Sequence, residues 1–543
     1  MREDIPERNR AVNAGLAMPV PHGLTGLAAR AAEQGWLKWA IALSASFAAI
    51  LEVIDVSIVN VALPYMQGNL GATLSEIGWV STSYSIANVI VIPLSAWLGL
   101  HFGKKRYFIF SLVAFTIASV LCGMATSLTT LIIGRVIQGL GGGGLLAKAQ
   151  ALMFETFPRE EQAKASMVFT LGVIAGPAIG PALGGYLTDH FGWRWIFFIN
   201  VPLGIMAVIM CNTFLLPDQE NTRTSNSVDW LGILFLAVGL GSLQTVLEQG
   251  QQDDWFSSPF IQRMALLSVV SMVLFVWQEM RVRYPAVNLR VLRHRSLAAG
   301  SVISLVVGMG LYGTVFVIPV FAQNILQFTA LKTGLLLVPG AIASAAATFT
   351  LAPISKILSP RLTIALGCLI TIGVMIGLTH INPDTGSEQL YWPLIWRGFG
   401  TVLMFLPLSL ATLGPLPKAD VAAGAGFFSL TRQLGGSIGI AAITSFVDRQ
   451  QFVHRSQLVY DISDLNPAYQ LRMDSNTSFF NAFSGDSTGI QNQALGLIDK
   501  AVNFQAALLS YRDVFYFVAA VFVFTLPLIL LLGKAAKPAP VRA

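Results

Sequence analysis

Apolar residues in this chain come in runs long enough to cross a bilayer, and most polar residues fall between the runs. A helix crossing the roughly 30 Å hydrocarbon layer needs about 20 predominantly apolar residues. Runs of that kind lie near 38–64, 77–100, 106–126, 129–155, 163–187, 194–215, 228–248, 259–279, 298–321, 331–354, 361–380, 391–413, 424–446 and 512–533, which predicts fourteen transmembrane helices in an all-α membrane protein. Residues 1–35 are polar, charged and bear Pro and Gly, without the apolar core and cleavage site of a signal peptide. The stretch 447–511 is expected to be a long polar loop, within which residues 490–502 have the spacing of an amphipathic helix leading into the last span.

Composition agrees with that pattern. Of 543 residues, 54% are apolar and 11% charged, against about 25% charged in soluble domains. A soluble enzyme, a disordered scaffold and a disulfide-built secreted domain are excluded. The net charge of +6 is dispersed in short clusters between apolar runs, so membrane topology explains it better than nucleic acid does. Cys122, Cys211 and Cys368 lie far apart inside apolar runs and read as packing residues, with no metal site implied.

The positive-inside rule orients the chain. Arg2, Arg8, Arg10 and Arg30 precede the first span; alternate loops then carry Lys104 to Arg106, Arg159 and Lys164, Arg223, Arg281 to Arg295, Lys356 and Arg361, and Lys418, before a tail with Lys534, Lys537 and Arg542. The loops near 65–76, 249–257 and 381–390 have no Lys or Arg. Both termini are therefore expected in the cytoplasm and 447–511 on the outer side.

A weak internal repeat relates Arg135-Val-Ile-Gln-Gly-Leu-Gly in span four to Arg397-Gly-Phe-Gly in span twelve, an offset of about eight spans. Two six-span halves separated by two extra spans would give it, and duplicated halves around a central site are a common transporter plan. The expected organisation is a tail 1–37, a first bundle 38–215, two extra helices with linkers 216–296, a second bundle 297–533 containing the loop 447–511, and a tail 534–543.

Ionisable residues at membrane depth are costly and point to function. Glu52 and Asp55 are three residues apart on one helical face of span one. Counted at 1.5 Å per residue, Asp55 and Arg135 both lie roughly 10 Å below the outer surface. Either they form a permanent salt bridge, or Asp55 exchanges protons as access alternates; Glu52 either shares that work or faces an aqueous vestibule. The glycines at 139 and 141–144 have no phosphate-loop pattern and suit close helix packing, and Lys148 is expected to snorkel to the interface. Gly172, Gly176, Pro177, Gly180, Gly184 and Gly185 form a small-residue stripe in span five, suited to tight contact or to a hinge. Asn60, Tyr84, Asn88, Gln138, Tyr312, Arg432 and Gln433 are the candidate polar anchors of an otherwise apolar, aromatic-walled cavity. No enzyme motif is present, and no catalytic residue, cofactor or metal is expected.

Five segments together carry a specific resemblance: Ile54-Asp55 through Pro64, Arg135-Val-Ile-Gln138-Gly139, the stripe from Gly172 to Gly185, Trp193-Arg194 through Asn200-Val-Pro202, and Arg432-Gln-Leu-Gly-Gly-Ser-Ile-Gly. Over about 38–533 the chain resembles the fourteen-span drug:proton antiporters of the major facilitator superfamily, of the EmrB/QacA type. The resemblance implies proton-driven export of hydrophobic toxic compounds by alternating access across a bacterial inner membrane, with proton coupling at Asp55 and Arg135 and an exporter motif from Gly172 to Gly185. It also implies a periplasmic adaptor and an outer-membrane channel as partners, with which the stretch 447–511 is compatible. One dedicated metabolite as cargo, or a receptor or scaffold on the same fold, are the alternatives. The chain departs from the family in the loop after span two, where Leu100 stands for the usual Asp and Ala96 for a Gly; Gly103, Lys104, Lys105 and Arg106 remain to make the turn, without the acid of a charge-relay latch.

Overall fold

Inside hydrocarbon a backbone N–H has no water to bond, so an apolar run must satisfy its own backbone as a helix. The computed structural model describes residues 26–218, 228–383, 385–460, 462–463, 466–481 and 487–532. Arg2, Arg8, Arg10, Arg223 and the tail 534–543 lie outside them.

After a short helix α1 (Gly26–Glu33), a first group comprises α2 (Leu37–Leu70), α3 (Leu74–Phe102), α4 (Lys104–Gly123), α5 (Leu128–Gly142), α6 (Leu145–Thr156), α7 (Gln162–Phe191), α8 (Trp195–Phe198) and α9 (Asn200–Phe214). Two antiparallel helices follow, α10 (Trp230–Gln249) and α11 (Pro259–Arg281). A second group contains α12 (Arg295–Asn324), α13 (Ala330–Ile357), α14 (Pro360–Leu378), α15 (Ser387–Leu413), α16 (Lys418–Tyr460), α17 (Pro467–Asn481) and α18 (Ser487–Leu528). The groups meet along two seams: α7 packs on α13, while α3 and α6 pack on α16. Helix α10 bridges the second seam, since Gln249 donates to Thr82 (2.9 Å) and Gln244 to Ser437 (2.8 Å).

Thirteen helices among the described residues are long and apolar enough to cross a membrane, against the fourteen expected. The difference is the run 424–446, which is helical within α16 but carries Arg432, Gln433, Ser437 and several glycines. Because α16 is surrounded by α3, α6, α10, α12 and α18, it needs no lipid-facing apolar surface.

Two further expectations change. The stretch 447–511 is mostly helix rather than loop: α16 continues to Tyr460, α17 follows, and α18 carries 490–502 unbroken into the last span. His454 to Asp513 (2.7 Å) and Arg455 to Asp499 (2.8 Å) tie the two long helices together. Span four, expected as one helix, is interrupted at Gly143 and Gly144, where Gly144 has φ 88°. A Cβ at Gly144 would lie 2.6 Å from that of Ser95, so both backbone angle and space require glycine there.

The stripe of α7 lies against α2. A Cβ on Gly176 would meet Val53 Cγ1 at 2.6 Å and one on Gly184 would meet the Ile58 carbonyl oxygen at 2.9 Å, while Gly172 and Gly180 face Ile50 and Ser57 as tightly. Gly185 is buried beside them, and Pro177 turns toward a cavity between the groups. Backbone approach, which only Gly permits here, is what lets α2 and α7 share so close a face.

Candidate functional site

Asp55 is fully buried and is the hub of a network reaching four helices. Its Oδ2 accepts from Arg135 Nη1 (2.6 Å), and its Oδ1 accepts from Gln138 Nε2 (2.8 Å) and Asn200 Nδ2 (2.7 Å). Arg135 also donates to the Val80 carbonyl (3.1 Å) and to Gln138 Oε1 (2.7 Å), and its guanidinium lies 4.1 Å from the centre of the Tyr84 ring. Gln138 donates in addition to Ser119 (2.9 Å). Burying two charges is tolerable only when each is paired and hydrogen-bonded; here Asp55 accepts three bonds while Arg135 donates from Nε and Nη1.

Glu52, one turn earlier, is also buried but has no cation within ion-pair distance. It accepts from Asn88 Nδ2 (2.8 Å) and from the backbone N–H of Leu146 (2.9 Å). Leu146 is in the first turn of α6, whose start is created by the break at Gly144. An interrupted membrane helix thus aims its N-terminal N–H groups at a carboxylate, a recurrent device for holding negative charge at membrane depth.

Of the expected cavity anchors, Tyr84, Asn88 and Gln138 belong to these two networks. Asn60 is exposed and accepts from Ser81 (3.0 Å). Tyr312 and Arg432 do line a cavity of about 90 Å³ between the two groups, with Val53, Ile174, Leu337 and Phe405 among its apolar walls. Gln433 is half-buried on α16 and is not part of that lining. Lys148 does not snorkel: its Nζ is shut off from solvent without a hydrogen-bond acceptor and stands 2.7 Å from the centre of the Tyr107 ring.

The loop with Leu100 has a carboxylate after all, supplied from the far end of the first group. Asp218, just after α9, accepts from the backbone N–H groups of Lys105 (2.9 Å) and Arg106 (3.1 Å), capping α4. Gly103 has φ 94°, and a Cβ there would collide with the Asp218 carboxylate. Lys104 pairs with Glu155 at the end of α6 (2.7 Å). Sequence reasoning missed Asp218 and also Asn200 and Arg397; Asn200 stood inside a quoted motif and Arg397 inside the repeat, while nothing local marks Asp218.

The model of the Major Facilitator Superfamily matches residues 45–440. The chain belongs to that superfamily. Within it, the chain is 31% identical to the multidrug export protein EmrB of Escherichia coli over 488 residues, covering 90% of this chain and 94% of that protein. It is 28% identical to the fatty acid resistance protein FarB of Neisseria gonorrhoeae, covering 92% of this chain and 96% of the relative. Among solved structures, the human organic anion transporter MFSD10 aligns over 91% of this chain and 99% of its own, with a TM-score of 0.59 at 11% identity, which bears on the fold alone. This major facilitator chain is a multi-pass membrane protein of the EmrB type, and Glu52, Asp55 and Arg135 all fall inside the matched residues 45–440.

Proposed function

We propose that the chain is a proton-coupled exporter that moves hydrophobic or amphipathic small molecules outward across a bacterial inner membrane by alternating access, with both termini cytoplasmic. The observation that carries the coupling is the contrast between two buried carboxylates three residues apart. Asp55 is saturated by a cation and two amides, and protonating it would leave Arg135 a buried charge without a counter-charge. Glu52 accepts hydrogen bonds from two neutral donors and has no ion-pair partner, although the buried cations Arg432 and Lys148 feel its charge, so its protonation breaks no salt bridge. In this reading Glu52 carries the proton and the Asp55 to Arg135 pair fixes α2 against α5, so that a change at Glu52 is transmitted to the packing of α2 on α7.

The bond from Leu146 to Glu52 supplies the mechanical link. A carboxylate accepts it more strongly than a neutral acid does, so protonation loosens α6 from α2. Helix α6 in turn packs on α16 and donates from Gln150 to Ser409 across the seam (2.8 Å), a contact that alternating access must break, and this supports a proton site at Glu52. The helical extensions of α16 to α18 expose Phe452 and Leu471, a surface suited to a periplasmic adaptor that passes cargo to an outer-membrane channel.

Substrate uptake into inverted vesicles tests the reading. Glu52→Gln should abolish uptake driven by a pH gradient while retaining substrate binding; unaltered gradient-driven uptake in that variant rejects Glu52 as the carrier, and no uptake by the wild type across a panel of drugs, uncouplers and fatty acids rejects the exporter. A second reading, export of one dedicated cargo, is favoured by the small cavity, and the same panel separates it by the breadth of response.

A further inference from the structure

The charges at membrane depth are unevenly divided between the two groups of helices. The first group contributes Glu52 and Asp55 beside Arg135 and Lys148. The second group contributes Arg397 in α15 and Arg432 in α16, while α12, α13 and α14 contain no Asp or Glu. Arg397 stands in the repeat position that Arg135 occupies in span four, yet it has no carboxylate to answer it. Its Nε and Nη1, and Nη1 of Arg432, are shut off from solvent with no hydrogen-bond partner. Arg432 is 4% exposed and rests 5.0 Å from the centre of the Phe405 ring. Both arginines line the cavity between the groups.

An unpaired buried guanidinium is expensive, because neither water nor an anion replaces its hydration. The buried Arg432, whose nearest answering charge is Glu52 beyond ion-pair distance, and the half-buried Arg397 border one apolar cavity without an ion-pair partner, which makes a site that favours negative charge. The forked N–H donors of Arg match a planar oxyanion in two-point fashion. The remaining wall is apolar and suits a hydrocarbon or aromatic body: Val53 and Ile174 from the first group, Leu337 and Phe405 from the second. We propose that Arg397 and Arg432 together bind the carboxylate of an amphipathic organic anion, with its apolar part lying along the seam between α7 and α13. This rests on the exporter reading for its direction of transport, although the binding site itself does not. An anion leaving the cell and a proton entering it move charge in the same sense, so an inside-negative potential drives both.

The test uses the full-length protein in nanodiscs and radiolabelled decanoate as probe, displaced by unlabelled decanoate, decanol or decyltrimethylammonium. Wild type should bind decanoate saturably, with decanol and the cation at least about tenfold weaker as competitors, the scale of one lost charge-assisted contact. Arg397→Gln and Arg432→Gln should each weaken decanoate about tenfold, and Arg397→Lys should lose less than Arg397→Gln. Equal displacement by all three ten-carbon compounds, no saturable decanoate binding to wild type, or unchanged binding in both Gln variants overturns the proposal. If a Gln variant does not fold, the wild-type displacement series decides alone. Intact decanoate binding without proton-dependent transport would refute the exporter reading and leave the anion site standing, whereas transport that is sensitive to Glu52→Gln with charge-blind binding would do the reverse.

Discussion

The carboxylate of Glu52 accepts the backbone N–H of Leu146 at 2.9 Å, a bond between residues 94 positions apart. It exists because Gly144, at φ 88°, separates two helices and lets the second begin one residue before Leu146. Gly144→Ala would place a side chain in a left-handed conformation and against Ser95, costing about 1 to 2 kcal/mol from the backbone alone. We expect a lower melting temperature in detergent together with loss of gradient-driven uptake. A variant that melts early but still couples would separate the break from the proton site.

Asp55 and Arg135 should fail singly and recover jointly. Asp55→Asn strands a buried guanidinium, for which about 3 to 5 kcal/mol is typical, whereas Asp55→Asn combined with Arg135→Gln leaves two neutral groups able to share the amide network. Thermal unfolding of the four proteins in a double-mutant cycle should show the double variant more stable than Asp55→Asn. Additive losses would mean that the pair is not energetically coupled.

At the loop after α3, Asp218→Asn should weaken the cap on α4 by about 1 kcal/mol. Gly103→Ala should cost more, because it combines a positive φ with a collision at Asp218. Hydrogen exchange at the backbone of Lys105 and Arg106 reads the effect directly: faster exchange in Asp218→Asn is expected, and unchanged exchange would show that the cap contributes nothing.

The tight face between α2 and α7 predicts a sharp contrast between two glycines. Gly176→Leu must displace Val53 and should destabilise by about 1 to 3 kcal/mol or more, while Gly373→Ala, where nothing lies within 4 Å of the added carbon, should be neutral or stabilising by up to about 1 kcal/mol. Melting curves of both variants check it, and a neutral Gly176→Leu would show that this seam is looser than the geometry implies.

Much of the architecture was legible because hydrophobic run length is a local property. Each apolar run of about 20 residues had to become a helix in hydrocarbon, whichever neighbours it met. The run in α16 escapes the apolarity criterion for a reason that is not local, namely that protein rather than lipid surrounds it. The stretch 447–511 looked like a loop because its surface is polar. Its two long helices run side by side, with His454 and Arg455 facing Asp513 and Asp499, a pairing that the local sequence does not mark.

By itself the sequence determined which residues would be costly at membrane depth: Glu52, Asp55 and Arg135 were conspicuous against a chain with 11% charged residues. The spacing of the glycines in span five likewise marked a face for close contact. Only the tertiary structure decided which charge has which partner. Asp55 draws donors from residues 80, 83 and 145 positions away, Asp218 reaches back 113 positions to cap α4, and Arg397 is left facing a cavity. Hydropathy and helical period fix where a residue lies along its own helix. Hydrogen-bond pairing depends on which helix faces which, and that is set by the packing of the whole bundle.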